Sequence, residues 1–230
     1  TLVAIRRDIH AHPETAFEET RTSDIVAERL AEYGIEVHRG LARTGVVGTL
    51  RRGASPRAIG LRADMDAMHA CGHDGHTTML LGAAKHLAEV GDFDGTIHFI
   101  FQPAEENEGG GREMVADGLF DLFPCDAVFG MHNIPGMPVG RFAVMPGPMM
   151  ASFDIFQITI KGRGTHAAMP QTGTDTIVAG TALVQALQTI VSRGLDPIDT
   201  AVVSVTQFHG GDTWNVLPET VTLGGTVRAF

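Results

Sequence analysis

Three apolar runs in the first half of the chain stop at residues that a buried strand cannot carry further. Ala58–Ala63 runs into Asp64 and Asp66, Thr96–Phe101 runs into "QPAEE", and Ala127–Met131 runs into His132 and Asn133. Helical periodicity lies between these runs. A helix is expected from about Ser23 to Tyr33, where Val26, Leu30 and Tyr33 share a stripe that Gly34 ends. A second begins after the histidine-rich stretch, with Leu80, Ala83, Ala84, Leu87 and Val90 on one face. A strand at Gly45–Leu50 and a short helix near Arg112–Leu119 complete the pattern. Such an alternation predicts an α/β sheet with helices packed on it. In open sheets of this class, ligands bind beyond the carboxyl ends of the strands. Three strands would thus bring acids and a histidine to one edge.

From about residue 151 the pattern changes. In "FQITIKG", Phe156, Ile158 and Ile160 alternate with polar neighbours, as in a half-buried strand. A helix is expected from Asp175 to Ser192, with Ile177, Val184, Leu187 and Val191 facing inward. Alternating strands follow at Thr200–Phe208 and Thr220–Phe230. This order reads as a small α+β domain over residues 151–230, joined to a domain over residues 1–150 by the Pro- and Gly-containing hinge Met145–Ser152.

The residues on the predicted edge carry metal chemistry. The stretch "DMDAMHACGHDGH" (residues 64–76) crowds histidines, aspartates and a cysteine together, an arrangement that a core does not tolerate unpaired. Cys71 and His73 offer a thiolate and an imidazole, both good ligands for zinc-like ions, and a tight turn at Gly72 lets both point inward. Asp64 and Asp66 could be ligands themselves or could orient a ligand histidine by hydrogen bonding. Asp74 is placed to cap the next helix. His69 and His76 read as structural rather than as ligands. Glu105 and Glu106 are adjacent in an extended segment, so their side chains point to opposite sides. One carboxylate can then bind metal while the other faces a bound water as general base. The glycines at 109–111 let the backbone turn into the following helix and do not match a phosphate loop. His132 ends its strand on the same edge.

Composition narrows the partners. The 230 residues, 43% hydrophobic and 19% charged, are those of an ordinary globular protein. The formal net charge of −10 argues against nucleic acid or an anionic membrane as the main partner, and no apolar run is long enough to span a bilayer. Two cysteines, Cys71 and Cys125, are too few for a disulfide framework, so a cytoplasmic protein with reduced thiols is expected. Both ends of the sequence read as interrupted, in a helical pattern at Thr1 and in a strand at "GGTVRAF". The expectation is part of a longer protein.

Together, "LRADMDA", "MHACGHDGHTTMLLGAA", "FQPAEE", "GMHN", "GRGTHAAMP", "ALQTIVSR" and "GGDTWNVLPETVTLGGTVR" resemble the metal-dependent aminoacylase family. Its members include hippurate hydrolase, indole-acetyl-amino-acid hydrolase and N-acetyl-diaminopimelate deacetylase. The resemblance covers nearly the whole chain. It implies a catalytic mixed α/β domain with an inserted small α+β lid that also dimerises, giving a homodimer or higher homo-oligomer. It also implies two divalent metal ions (Zn, Mn, Co or Ni) and a small N-acyl amino acid as substrate. Carried over by position, Cys71, His73, Glu106 and His132 match the family's metal ligands and Glu105 its general base. His166 matches a lid histidine that helps hold the substrate carbonyl, often from the partner subunit. Asn215 and Arg228 match lid residues associated with substrate binding.

The chain departs from the family in two places. The family carries a longer segment, with a proline, between "DMDA" and "HACGHD". Here Ala67 and Met68 run directly into His69, and the intact flanking motifs favour a segment left out of the sequence. The family's last metal ligand, a histidine in a C-terminal return to the catalytic domain, lies outside this chain. Two rival readings compete with hydrolysis of an amide. A cysteine hydrolase using Cys71 leaves the acid pair without a role. A non-catalytic peptide-binding or dimer scaffold of the same fold leaves Glu105 without one.

Overall fold

A strand near the middle of a sheet must be apolar on both faces, and Gly95–Gln102 meets that demand: all of it but the last residue is buried. In the computed structural model, which describes residues 1–106 and 108–230, this strand organises the first of two compact units, Thr1–Pro138. Helices α1 (Leu2–Ala11) and α2 (Thr20–Glu32) precede strands β1 (Glu36–Leu41), β2 (Gly45–Arg52) and β3 (Ala58–Asp64). Helix α3 (His73–Val90) leads to β4 (Gly95–Gln102), and the short helices α4 (Gly110–Ala116) and α5 (Leu119–Leu122) lead to β5 (Ala127–Gly130).

The strand order is β1-β2-β4-β3-β5. β2 runs antiparallel to both β1 and β4, whereas β3 runs parallel to both β4 and β5. Asp64 therefore lies beside Gln102, and Arg62 beside Gly130. The carboxyl ends of β3, β4 and β5 share one edge, as the apolar runs predict.

Neighbouring residues on a strand point to opposite faces. Val46, Phe99 and Phe101 pack with Val26, Leu30, Leu80, Leu81 and Ala84 of α2 and α3. Val47 and Ile100 turn the other way, onto Leu41, Met114 and Leu119. The mixed α/β fold is the one expected, with three differences of detail. Val90 is 62% exposed, and Leu81 takes its place in the core. The helix expected over Arg112–Leu119 is two helices, because Gly118 adopts φ +89 and breaks the run. Strand β1 escaped the periodicity because it is an edge strand whose residues are mostly exposed. At the opposite edge, β5 leaves Val128 45% and Phe129 57% exposed.

The second unit, Val139–Phe230, is built on β6 (Ser152–Lys161), β8 (Ala201–His209) and β10 (Thr220–Ala229). These form an antiparallel sheet with β10 in the centre. Helix α6 (Thr176–Gly194) packs against this sheet with Ile177, Val184, Leu187 and Val191 half-buried. Its first turn is capped by Asp175, whose carboxylate accepts from the N–H groups of Ile177 and Val178. A separate two-stranded ribbon joins β7 (Thr165–His166) to β9 (Val216–Leu217), and a single 3-10 turn covers Pro170–Thr172. Among the described residues, no helix is long and apolar enough to cross a membrane.

Phe99 is fully buried between the first sheet and its helices. Phe99→Ala is expected to cost about 3–5 kcal/mol, seen as a lower urea midpoint with an unchanged slope.

Candidate metal centre

Asp64 ends β3 and Asp66 lies in the turn after it, and both are buried. Buried carboxylates need partners, and each of these has a histidine. His73 Nδ1 lies 2.9 Å from Asp66 Oδ1 and 3.0 Å from the Asp66 carbonyl oxygen. The Nδ1–H therefore donates to Asp66, which leaves the Nε2 lone pair facing away. His76 Nδ1 donates to Asp64 Oδ1 at 2.6 Å, while its Nε2 accepts from the Asn133 N–H at 3.1 Å and touches the Asn133 side-chain amide. Both nitrogens of His76 are engaged, whereas His73 has one left over. Arg62 donates to Asp64 Oδ2 at 2.9 Å and to Gln102 Oε1, tying together the ends of β3 and β4.

The leftover atom is the distinctive feature. His73 Nε2 is buried and has no hydrogen-bond partner among the described residues. Around it stand Glu106 Oε1 at 3.7 Å, Asp64 Oδ2 at 3.8 Å and Glu105 Oε2 at 4.0 Å. The donor atoms of Cys71, His73 and Glu106 lie within 4.8 Å of one another, and so do those of Asp64, His73, His76 and His132. An imidazole lone pair, a sulfur and carboxylate oxygens converging on one point suit a zinc-like divalent ion. The residues present fit such an ion.

Local backbone explains the convergence. Gly72 adopts φ +77 at the start of α3, and a Cβ there would fall 2.9 Å from Asn133 Oδ1. This turn places Cys71 and His73 side by side. On the β4 side, the Glu105 and Glu106 N–H groups lie 3.1 and 3.3 Å from Asp66 Oδ2. Asp66 thus binds His73 through one oxygen and the acid pair through the other. At Gly110, a Cβ would fall 1.8 Å from the Pro103 carbonyl oxygen, so the glycine run is needed to turn into α4.

The site carries a strong negative field. Cys71 Sγ donates to Glu106 Oε1 at 2.6 Å, and that bond, with burial and the charges of Glu106, Glu105 and Asp66, pushes the thiol pKa up to about 12. Burial raises the Glu105 pKa, and the neighbouring Glu106 charge raises it further. Burial pulls His73 down, but Asp66, Asp64 and Glu105 outweigh it and hold the imidazole above its ordinary value. Burial would raise Asp64, but the bond from His76 and the charges of Arg62 and His73 hold it below the carboxylate range. A field that retains protons on ligand atoms is one that attracts a cation.

Other expected residues fall as follows. His132, exposed at the end of β5, has its ring 5.9 Å from that of His73 and 4.5 Å from that of His76. Asp74 does not cap α3, because Gly72 holds the cap position. Its buried carboxylate instead binds Arg6 at 2.8 Å and His10 at 2.9 Å, fastening α1 to α3. His69 stacks on His10 at 4.0 Å. In the second unit, the ribbon pairs His166 with Val216, next to Asn215, whose carbonyl accepts from the Ala167 N–H. Arg228 lies apart from them: it stacks on Phe153 at 4.2 Å, near the far end of β10. From Thr220 to Arg228 the strand rises about 26 Å, at ~3.3 Å per residue. Asn133 ends the same apolar run as His132, but its residue type assigns it no role. Its position next to His132, at a strand end, was the only available signal.

Comparison with known proteins gives the family. Residues 55–224 match peptidase family M20/M25/M40. The chain is 46% identical to the hippurate hydrolase of Campylobacter jejuni, over 98% of this chain and 63% of that protein. It is 42% identical to the N-acetyl-L-cysteine deacetylase of Bacillus subtilis, over 100% of this chain and 59% of that one. The chain thus spans about three fifths of the length of these relatives. A solved structure from Bacillus subtilis, described as a dinuclear metal binding peptidase from the M20 family, superposes with a TM-score of 0.77 at 36% identity. It covers 100% of this chain and 64% of that one. With the sequence match, the fold and the converging ligand atoms in agreement, the chain belongs to peptidase family M20/M25/M40.

Proposed function

We propose that this chain forms part of a metal-dependent amidohydrolase that cleaves N-acyl amino acids, hippurate-like or related, to a carboxylic acid and a free amino acid. The observation that carries the reading is the buried His73 Nε2, without a hydrogen-bond partner among the described residues, facing Cys71, Glu106 and Glu105. The relatives' names, hippurate hydrolase and N-acetyl-L-cysteine deacetylase, point to the same bond.

In this reading Cys71, His73 and Glu106 hold one divalent ion, of zinc, manganese, cobalt or nickel. His73 can serve only that ion, since its other nitrogen is committed to Asp66. His132 is the ligand available for a second ion, because both nitrogens of His76 are engaged. Asp66 orients His73, and Asp64 acts through His76, as carboxylates commonly do behind ligand histidines. Bound ions supply Lewis-acid polarisation of the amide carbonyl and a water of lowered pKa.

The chain's own groups do the rest. Glu105 stands beside the ligands, its side chain 38% exposed, with a raised pKa, as suits a general base. It takes the proton of the attacking water and returns it to the departing amine nitrogen. His166 donates a hydrogen bond to the oxygen that becomes negative as the carbonyl is attacked. Asn215, beside it on the ribbon, holds the amino-acid portion in place. Arg228, at the other end of the unit, meets substrate in a separate contact. The second unit acts as the lid, within a homodimer or higher homo-oligomer in the cytoplasm.

The direct test is amino-acid release by the full-length protein from a panel of N-acyl amino acids, before and after chelation. Release should vanish with chelator and return with manganese or zinc. Metal-bound protein that releases nothing from any member of the panel would sink the proposal. Glu105→Gln should retain metal by elemental analysis but lose roughly 100-fold or more in kcat. Loss of metal together with activity would make Glu105 a ligand instead. Metal uptake should also release protons. The Cys71 thiol, its pKa pushed up to about 12, holds a proton that the ion must displace. Affinity should therefore fall as pH falls. Calorimetry in buffers of different ionisation enthalpy should find about one or more protons released per ion.

A further inference from the structure

The acid pair is aimed by a strained residue. Ala104, immediately before Glu105, adopts φ +46, in the left-handed region that a side chain disfavours. Among the described residues, the other non-glycine positions with positive φ are Ala16, Phe17, Ala42 and Arg43. They belong to two further turns, one before α2 and one between β1 and β2.

All three turns meet on a single carboxylate. Glu19 immediately precedes α2, is completely buried, and makes no side-chain cap for the helix it precedes. Its Oε1 accepts from the Phe17 N–H at 3.2 Å and from the Ala104 N–H at 3.1 Å. Its Oε2 accepts from the Thr44 hydroxyl at 2.7 Å, and the Thr44 N–H donates to the Ala42 carbonyl. Strained backbone of this kind persists only where its surroundings over-determine it, and it collects at functional sites.

We propose that Glu19 is a positioning residue whose buried carboxylate locks Ala104 in its left-handed conformation and so aims Glu105 and Glu106 at His73. The direction in which residues 105 and 106 leave β4 is set by the torsion at 104. Asp66 holds the N–H groups of Glu105 and Glu106, but it leaves the Ala104 N–H to Glu19. Freed from Glu19, Ala104 relaxes to negative φ and the two carboxylates swing off the His73 axis. A misplacement of about 1 Å at a reacting group can cost roughly 100-fold in rate.

The inference rests on Glu105 acting as general base, so the test has one arm that does not. In the full-length protein, Glu19→Ala should lower kcat roughly 10- to 100-fold, with KM within about twofold and metal content unchanged. Glu19→Gln keeps an oxygen for both N–H groups and an amide for the Thr44 hydroxyl, and should recover most of the loss. Independently of turnover, amide hydrogen exchange over residues 102–112 should quicken in Glu19→Ala and return towards wild type in Glu19→Gln. If Glu19→Ala does not fold, Thr44→Val removes only the Oε2 bond and should move kcat and exchange the same way by a smaller factor. Unchanged kcat and exchange in the variant that folds, or a loss that Glu19→Gln does not recover, would overturn the proposal. Should Glu105→Gln keep wild-type turnover, the general-base role is lost, while the exchange arm still decides whether Glu19 holds the segment.

Discussion

The Asp66 carboxylate is the contact on which the rest of the site depends. It is buried at the end of β3, and its two oxygens serve different strands: one receives the His73 ring, the other the N–H groups of Glu105 and Glu106. A histidine and an acid pair that are far apart in sequence are thereby set by one rigid group. An imidazole so fixed cannot rotate to bury its second nitrogen against protein. The lone pair stays open because Asp66 permits no alternative.

The cost of this arrangement is electrostatic. Asp64, Asp66, Glu105 and Glu106 surround one imidazole, and the guanidinium of Arg62 reaches only Asp64 among them. Like charges so close raise one another's pKa values, as at Cys71 and Glu105. A proton shared between Cys71 and Glu106 answers part of that demand. A divalent cation meets the same demand with two charges at one point and no loss of ligand geometry. The field and the orphaned nitrogen are therefore two views of one requirement.

Much of this was legible in the sequence. Apolar runs ending in Asp64, Glu105 and His132 announced a sheet edge, and the parallel pairing of β3 with β4 and β5 brings those ends together. Cys71 and His73 could be read from residue type and the turn at Gly72. What could not be read depends on contacts between distant parts of the chain. Glu19 touches Ala104 across 85 positions, and nothing in "PETAFEET" distinguishes a buried clamp from a solvated acid. Asp74 looks like a helix cap until Arg6 and His10 arrive from α1. Asn133 gains its place only when His76 is folded against it. Strand β1, with few inward residues, offers no period to detect.

The outer edge of the first sheet has a practical consequence. Strand β5 is short, pairs only with β3 among the described residues, and shows Val128 and Phe129 to solvent. Such an edge, apolar and free on one side, is a template for pairing with another strand. Self-association through this edge would extend the sheet by main-chain hydrogen bonds, with no need of a matched side-chain surface.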